Sequence, residues 1–262
     1  MADHSDLDNA ALLPTFLIGG APRSGTTFLA HLLDHHPDLF MAKPLVPEPK
    51  VCMTPAADGI QGYRRRYAAL FAEAGARSAR GEKTSYYFEN EDALARIKAT
   101  LPEPRFVFIL REPVARAYSN YLWSTQNGLE QLSFAEAVAL DGRRPSPLPP
   151  EKEYVRPFDY LRRSRYGELT QRCIELFGRS RLHFLLFEDI SLRRDAFCRA
   201  AQLAAGVDPL PADRFPAAPV NVGALDAPPI EAGLFAELRA LYRPEVERLA
   251  ALTALDVSPW GY

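Results

Sequence analysis

Along this chain, short apolar runs alternate with amphipathic stretches. Phe16-Leu17-Ile18 runs into Gly19 and Gly20 without a polar interruption, the pattern of a strand covered on both faces, and predicts a strand over about 15–19. Leu29, Leu32 and Leu33 then recur at helical spacing to about Asp34. His35-His36-Pro37-Asp38 ends that helix, because proline disfavours helix at the residue before it, and the paired histidines read as a structural exit. Tyr63, Tyr67, Leu70 and Phe71 share one face of a helix predicted over 60–74, with Arg64, Arg65 and Arg66 mostly on the other. A helix from Asn90 to about Ala99 leads to the apolar run Arg105 to Leu110, a buried parallel strand. A short helix around Phe134 to Leu140, a helix from Tyr160 to Phe177, a strand from Arg181 to Phe187, and helices over 193–206 and 231–252 complete the pattern. This alternation predicts an α/β fold: a doubly wound, mostly parallel central sheet flanked by helices, with its ligand site at the carboxyl ends of the strands. The expected organisation is a flexible N-terminus over 1–12 and a single domain over 13–262.

The turn after the first strand carries the candidate chemistry. Gly20 to Thr27 keeps the two glycines and final threonine of a G-x-x-x-x-G-K-[ST] phosphate loop, so the fold is P-loop-like, but Thr26 stands where the lysine belongs. That lysine reaches the β/γ-phosphates in nucleoside-triphosphate enzymes, and its loss argues against an ordinary Mg-dependent kinase. The positive charge lies three residues earlier, at Arg23. Backbone N–H groups and a helix N-terminus would face an anion here.

Pro22-Arg23-Ser24-Gly25-Thr26-Thr27 resembles the 5′-phosphosulfate loop of sulfotransferases that use 3′-phosphoadenosine 5′-phosphosulfate (PAPS), in particular the heparan-sulfate, tyrosylprotein and bacterial carbohydrate-type branches. A second stretch, Arg111-Glu112-Pro113-Val114-Ala115-Arg116-Ala117-Tyr118-Ser119-Asn120-Tyr121, resembles the family's 3′-phosphate site. Arg111 can fork two donors onto phosphate oxygens and Ser119 can add a hydroxyl. For Arg116 a scaffold ion pair is an equal alternative. Pro47-Glu48-Pro49-Lys50 is similar to the segment that supplies the family's general base, which implies that Glu48 takes the acceptor's proton. Gly81-Glu82-Lys83-Thr84-Ser85-Tyr86-Tyr87-Phe88 resembles an acceptor-site segment ending a strand, with Ser85 in place of the family's proline. That match implies that Lys83 neutralises charge near the transferring group, with Glu82 as a candidate salt-bridge partner. Arg165-Tyr166-Gly167-Glu168-Leu169 and Leu186-Phe187-Glu188-Asp189-Ile190 also resemble bacterial members, with Tyr166 a candidate for reaching the nucleotide and Glu188 and Asp189 expected to cap a helix or form a core ion pair. The nucleotide cap would fall between Arg214 and Gly223, and the Pro-rich loop over 141–157 is a candidate lid that selects the acceptor.

Composition narrows the partners. With 262 residues, 47% of them apolar, the chain can bury a sizeable core, and a formal charge of −2 gives no global attraction for nucleic acid. Cys52, Cys173 and Cys198 lack metal-ligand spacing and read as reduced, buried thiols of a cytoplasmic protein. No secretory signal or membrane-spanning run is evident. The expectation is therefore transfer of a sulfuryl group from PAPS to an acceptor hydroxyl, on a carbohydrate or other small-molecule alcohol, releasing adenosine 3′,5′-bisphosphate (PAP) without a metal. A Mg-dependent phosphotransferase and a non-catalytic nucleotide-binding regulator remain alternatives, and the sequence fixes neither the acceptor nor an oligomeric state.

Overall fold

The computed structural model describes residues 12–215 and 228–262. In chain order the main elements are β1 (Phe16–Gly20), α1 (Thr26–Asp34), β2 (Leu39–Met41), α2 (Gly59–Leu70), β3 (Ala79–Lys83), α3 (Glu91–Thr100) and β4 (Arg105–Leu110). They continue with α4 (Pro113–Gln126), α5 (Phe134–Ala139), α6 (Tyr166–Phe177), β5 (Leu182–Leu186), α7 (Asp189–Leu192), α8 (Arg194–Ala205) and α9 (Ala232–Thr253). The chain forms two compact units, residues 12–110 with 173–215, and residues 111–172 with 228–262, so the division falls within α6.

The first unit holds the sheet, in the order β2-β3-β1-β4-β5 with every neighbouring pair parallel. From β1 the chain goes to the edge strand β2, returns to β3 beside β1, and then crosses to the other side of β1 for β4 and β5. Strand order thus reverses at β1, and the loop leaving β1 sits where open α/β sheets place their ligands. Strand periodicity sends Phe16, Ile18, Val107, Ile109 and Leu185 to one face, where they meet Phe28, Leu29 and Leu32 of α1 and Phe197 and Ala201 of α8. The opposite face is aromatic. Phe106 stacks on Phe108 and Phe108 on Phe184, both pairs at 5.5 Å between centroids, with Phe88 4.4 Å from Phe108. Each such ring contributes about 1.5–3 kcal/mol on burial, so the strands are held from both faces.

The expected elements form with small shifts. Asn90 caps α3 by accepting the Ala93 N–H at 2.8 Å. The histidine pair is a structural exit, as its proline context predicts: His36 is buried, its Nδ1 accepts the Asp38 N–H at 3.2 Å, and its Nε2 therefore donates to the Asp208 carbonyl at 3.0 Å. The edge strand β2 has no counterpart in the hydrophobic pattern, since only three residues pair there. Glu188 precedes α7 without a side-chain cap, and Asp189 instead pairs with Arg193 one turn on at 2.7 Å. The region between Arg214 and Gly223 expected to cap the nucleotide lies largely outside the described residues.

The second unit packs α4, α5 and α9 around Val114, Ala117, Phe134, Val138, Tyr160, Leu238 and Tyr242. Pro113 occupies the first turn of α4, and the Glu112 carboxylate caps it by accepting the Ala115 N–H at 2.6 Å. The helix expected from Tyr160 begins only at Tyr166. Residues 160–161 are instead drawn onto Asp141, whose Oδ1 accepts the N–H of Tyr160 at 2.5 Å and of Leu161 at 3.0 Å. The Pro-rich loop between them is latched from several sides. Arg144 makes a two-pronged ion pair with the buried Glu130 and lies 4.1 Å over the Phe158 ring, while the Pro157 carbonyl accepts from Ser124 Oγ at 2.7 Å and Asn120 Nδ2 at 3.2 Å. Buried Arg163 adds a bond to the Val155 carbonyl at 3.0 Å.

Burial alone would raise the Glu130 pKa, but the Arg144 guanidinium, the Leu132 N–H and the Tyr160 hydroxyl outweigh it and hold the carboxyl at about 2. A depressed carboxylate pKa stabilises the fold above the unfolded value near 4.5, and the contribution is lost as pH falls toward 2. Glu130→Gln should therefore cost about 1–3 kcal/mol at neutral pH and raise amide exchange across residues 141–157. Urea unfolding with exchange mass spectrometry checks this, and unchanged exchange in the loop would refute the latch.

Candidate functional site

In the first unit, the ends of β1 and β3 deliver predicted residues to the carboxyl edge of the sheet. β1 ends at Gly20, and the loop Ala21 to Gly25 enters α1. A Cβ at Gly20 would stand 2.9 Å from both the Ser85 carbonyl oxygen and Phe88 Cβ, so a side chain there would push the loop off the end of β3. Arg23 and Gly25 take left-handed backbone conformations, φ 68° and 90°, on either side of Ser24. Gly25 is the N-cap of α1, no acid lies in the first turn, and a Cβ at Gly25 would come within 2.8 Å of the Phe187 ring. The loop thus offers an uncapped helix start whose N–H groups and dipole favour an anion.

Ser24 is fully buried and its Oγ has no hydrogen-bond partner among the described residues. Such a hydroxyl normally costs about 1–3 kcal/mol unless something satisfies it. Thr26 is buried and Thr27 half-buried, with Arg23 half-exposed beside them. The orphaned hydroxyl and the cationic loop fit a phosphate or sulfate group.

β3 ends in Glu82-Lys83, and strand alternation sends these two charges to opposite faces. The Lys83 ammonium, 2% exposed, lies 3.3 Å from Glu48 Oε1 and donates to Thr27 Oγ1 at 3.2 Å. Its ion-pair partner is therefore Glu48, not the adjacent Glu82 expected as a candidate. Glu48 also accepts from Ser85, the backbone N–H to Oε2 at 3.2 Å and the hydroxyl to Oε1 at 2.8 Å. The structure thus brings Glu48, Lys83 and Thr27 into one contiguous chain leading to the phosphate loop.

Glu82 faces the other way, into a buried polar cluster that sequence reasoning missed. Its carboxyl accepts from Tyr87 at 2.9 Å, from Tyr67 at 3.3 Å and from Thr84. Thr84 Oγ1 in turn accepts the Lys50 N–H at 3.0 Å, and Tyr87 accepts the Cys52 N–H at 3.2 Å. Burial pushes the Glu82 pKa up to about 7 against the hydrogen bonds from Thr84, Tyr87 and Tyr67, and the nearby Glu48 adds to the rise. Burial likewise drives the Cys52 thiol up to about 12. The cluster anchors residues 50–52, just beyond Glu48, to the end of β3. The signal that could have found it was Tyr67, a hydroxyl on the otherwise apolar face of the helix predicted over 60–74.

In the second unit, Arg111 is half-buried and immediately precedes the Glu112 cap of α4, and Ser119 is buried within that helix. Tyr166 donates its hydroxyl to the Arg111 carbonyl at 3.0 Å, and Tyr262 donates to Glu112 Oε1 at 2.6 Å while its ring lies 4.1 Å under the Arg239 guanidinium. Tyr166 is fully buried in that contact. Arg116 is also fully buried, and donates to Ser164 Oγ at 2.5 Å and to the Tyr160 carbonyl.

Fold and loop together define a P-loop-like α/β protein. The profile described as the Sulfotransferase family matches residues 14–86, which span β1, the phosphate loop, Glu48 and Lys83. The crystal structure of a sulfotransferase from Alicyclobacillus acidocaldarius superposes with a TM-score of 0.73 at 26% identity, covering 95% of this chain and 99% of that one. The sulfotransferase domain from the curacin biosynthetic pathway shares the fold at 15% identity, with a TM-score of 0.55 over 94% of this chain and 99% of that one. Among curated proteins, the membrane-associated sulfotransferase kil1 of Dictyostelium discoideum is 32% identical over 114 residues, 44% of this chain. The match spans about a quarter of that relative's length, 24%. In the sequence of residues 14–86 and in fold, the chain is similar to sulfotransferases. Among the described residues, no helix is long and apolar enough to cross a membrane.

The Glu82 pKa carries a stability consequence. Between pH 4.5 and about 7 the native state binds more protons at Glu82 than the unfolded chain, so this contribution is full below pH 4.5 and lost as pH rises through 7. The stability of the wild type relative to Glu82→Gln should fall by on the order of 1–3 kcal/mol between pH 5 and 8. Urea unfolding across that range tests it; a difference independent of pH would contradict the assignment.

Proposed function

We propose that the chain transfers a sulfuryl group from PAPS to an acceptor hydroxyl, with Glu48 as general base. The observation that carries this reading is the run Glu48–Lys83–Thr27, which joins a carboxylate through a buried ammonium to an uncapped phosphate loop. The fit of the loop to a phosphate or sulfate, with its buried Ser24 hydroxyl, supports the donor assignment. Pro22 to Thr27 would hold the 5′-phosphosulfate, and Arg111 and Ser119 are assigned the 3′-phosphate.

PAPS supplies an activated sulfuryl group on a phosphate leaving group. Glu48 accepts the proton of the acceptor hydroxyl as the new O–S bond forms. The old S–O bond breaks with its electrons left on the 5′-phosphate, and Arg23, Thr26, Thr27 and the start of α1 stabilise that charge. The products are a sulfate ester, PAP and a protonated Glu48 that returns its proton to solvent. Among the described residues, Lys83 donates to Thr27 and is ion-paired with Glu48, which leaves donor capacity for an oxygen of the moving group. The acceptor is read as a carbohydrate or other small-molecule alcohol. Three buried free thiols support a reducing, cytoplasmic setting.

Isothermal calorimetry without metal should show binding of PAP in preference to ATP, weakened about 10- to 100-fold by Arg111→Ala. Preference for ATP, or binding that needs Mg²⁺, would instead favour a phosphotransferase. With radiolabelled PAPS and a panel of alcohols, Glu48→Gln should cut transfer on the order of 10²- to 10⁴-fold while PAP binding persists. Unchanged turnover would refute the role of Glu48, and PAP binding with no transfer to any acceptor would favour a nucleotide-binding regulator.

A further inference from the structure

We propose that Ser85 is a positioning residue for Glu48, fixing the plane of its carboxylate so that one Oε2 lone pair is left for the incoming hydroxyl. The inference rests on the reading of Glu48 as proton acceptor.

The hydrogen bonds of Glu48 can be counted. Oε1 accepts the Ser85 hydroxyl at 2.8 Å and is ion-paired with the Lys83 ammonium at 3.3 Å. Oε2 takes only the Ser85 backbone N–H at 3.2 Å. A carboxylate held on one oxygen can turn about its terminal torsion, whose preference is broad. Donors from a single residue to both oxygens oppose that turn. Ser85 can do this because it is itself held: its side chain is buried, its carbonyl packs against Gly20, and Thr84 before it binds the Lys50 N–H at 3.0 Å. Thr84 therefore holds the backbone two residues beyond Glu48 while Ser85 holds its carboxylate. Proline at position 85 would have neither the N–H nor the hydroxyl, so this chain orients its carboxylate with donors that a proline could not provide.

The test measures labelled sulfate released from PAPS with water as the acceptor, for wild type, Ser85→Ala, Ser85→Thr, Ser85→Pro and Glu48→Gln. Ser85→Ala should lower kcat about 10- to 100-fold with KM for PAPS and the Kd for PAP unchanged, and Ser85→Thr should recover to within about threefold of wild type. Ser85→Pro should fall toward the Glu48→Gln rate. Crystal structures give a readout independent of turnover: one Glu48 carboxylate orientation in wild type and Ser85→Thr, and a rotated or split one in Ser85→Ala. Wild-type kcat in Ser85→Ala beside a collapsed Glu48→Gln, or a change in KM alone, overturns the inference. No sulfate release by wild type, or full activity of Glu48→Gln, overturns the reading of Glu48 instead. In that case an unmoved Glu48 in the Ser85→Ala crystal still overturns the positioning role, and a rotated one supports it.

Discussion

Two opposite charges at the end of one strand cannot pair with each other when alternation turns them to opposite faces of the sheet. β3 closes on Glu82-Lys83, both buried, and each must find its partner elsewhere. Lys83 meets Glu48 and Thr27, while Glu82 meets two tyrosines and a threonine. Both sets of partners bear on the segment after β2. That irregular stretch carries little regular backbone pairing of its own, so its conformation is set by what β3 offers it. The ion pair fixes the Glu48 side chain, and the Glu82 cluster fixes the backbone of Lys50 and Cys52.

Two buried acids, Glu82 at the end of β3 and Glu130 in the second unit, are treated differently, and their surroundings account for it. Glu82 has only neutral donors about it, so burial dominates and its pKa climbs to about 7. Glu130, in the second unit, is also buried but faces a bidentate guanidinium, and is held at about 2. The first is an anchor that tolerates neutrality. The second is a latch that depends on charge.

What the sequence made legible was what depends on local pattern. Three apolar residues running into Gly19-Gly20 defined β1, the run Phe106 to Leu110 defined β4, and glycine, arginine and threonine spacing marked the loop. The family resemblance singled out Glu48 and Lys83, yet nothing in their spacing says that they touch, because 34 intervening positions are folded back by the parallel pairing of β2 with β3. Glu82 was read beside Lys83 because they are neighbours in sequence. The backbone period separates them. The start of α6 was misplaced for a related reason: Leu161 fits the helical pattern, but Asp141, twenty residues earlier, captures the amides of 160 and 161 before a helix can form. β2 was invisible since three residues at a sheet edge carry too little pattern to separate from a loop.

A general base for sulfuryl transfer faces a conflict of charge, since it must be an anion and yet work beside an anionic donor. In the proposed reaction the buried ammonium of Lys83 resolves it. Lying between the Glu48 carboxylate at 3.3 Å and the Thr27 hydroxyl at 3.2 Å, it makes the base half of a neutral pair on the side that faces the loop. A glutamate without that lysine would repel the phosphosulfate, and a lysine without that glutamate would be a buried charge with one hydroxyl for company. The two residues are therefore useful only together, and Ser85 is what decides which lone pair of the carboxylate the pair leaves for chemistry.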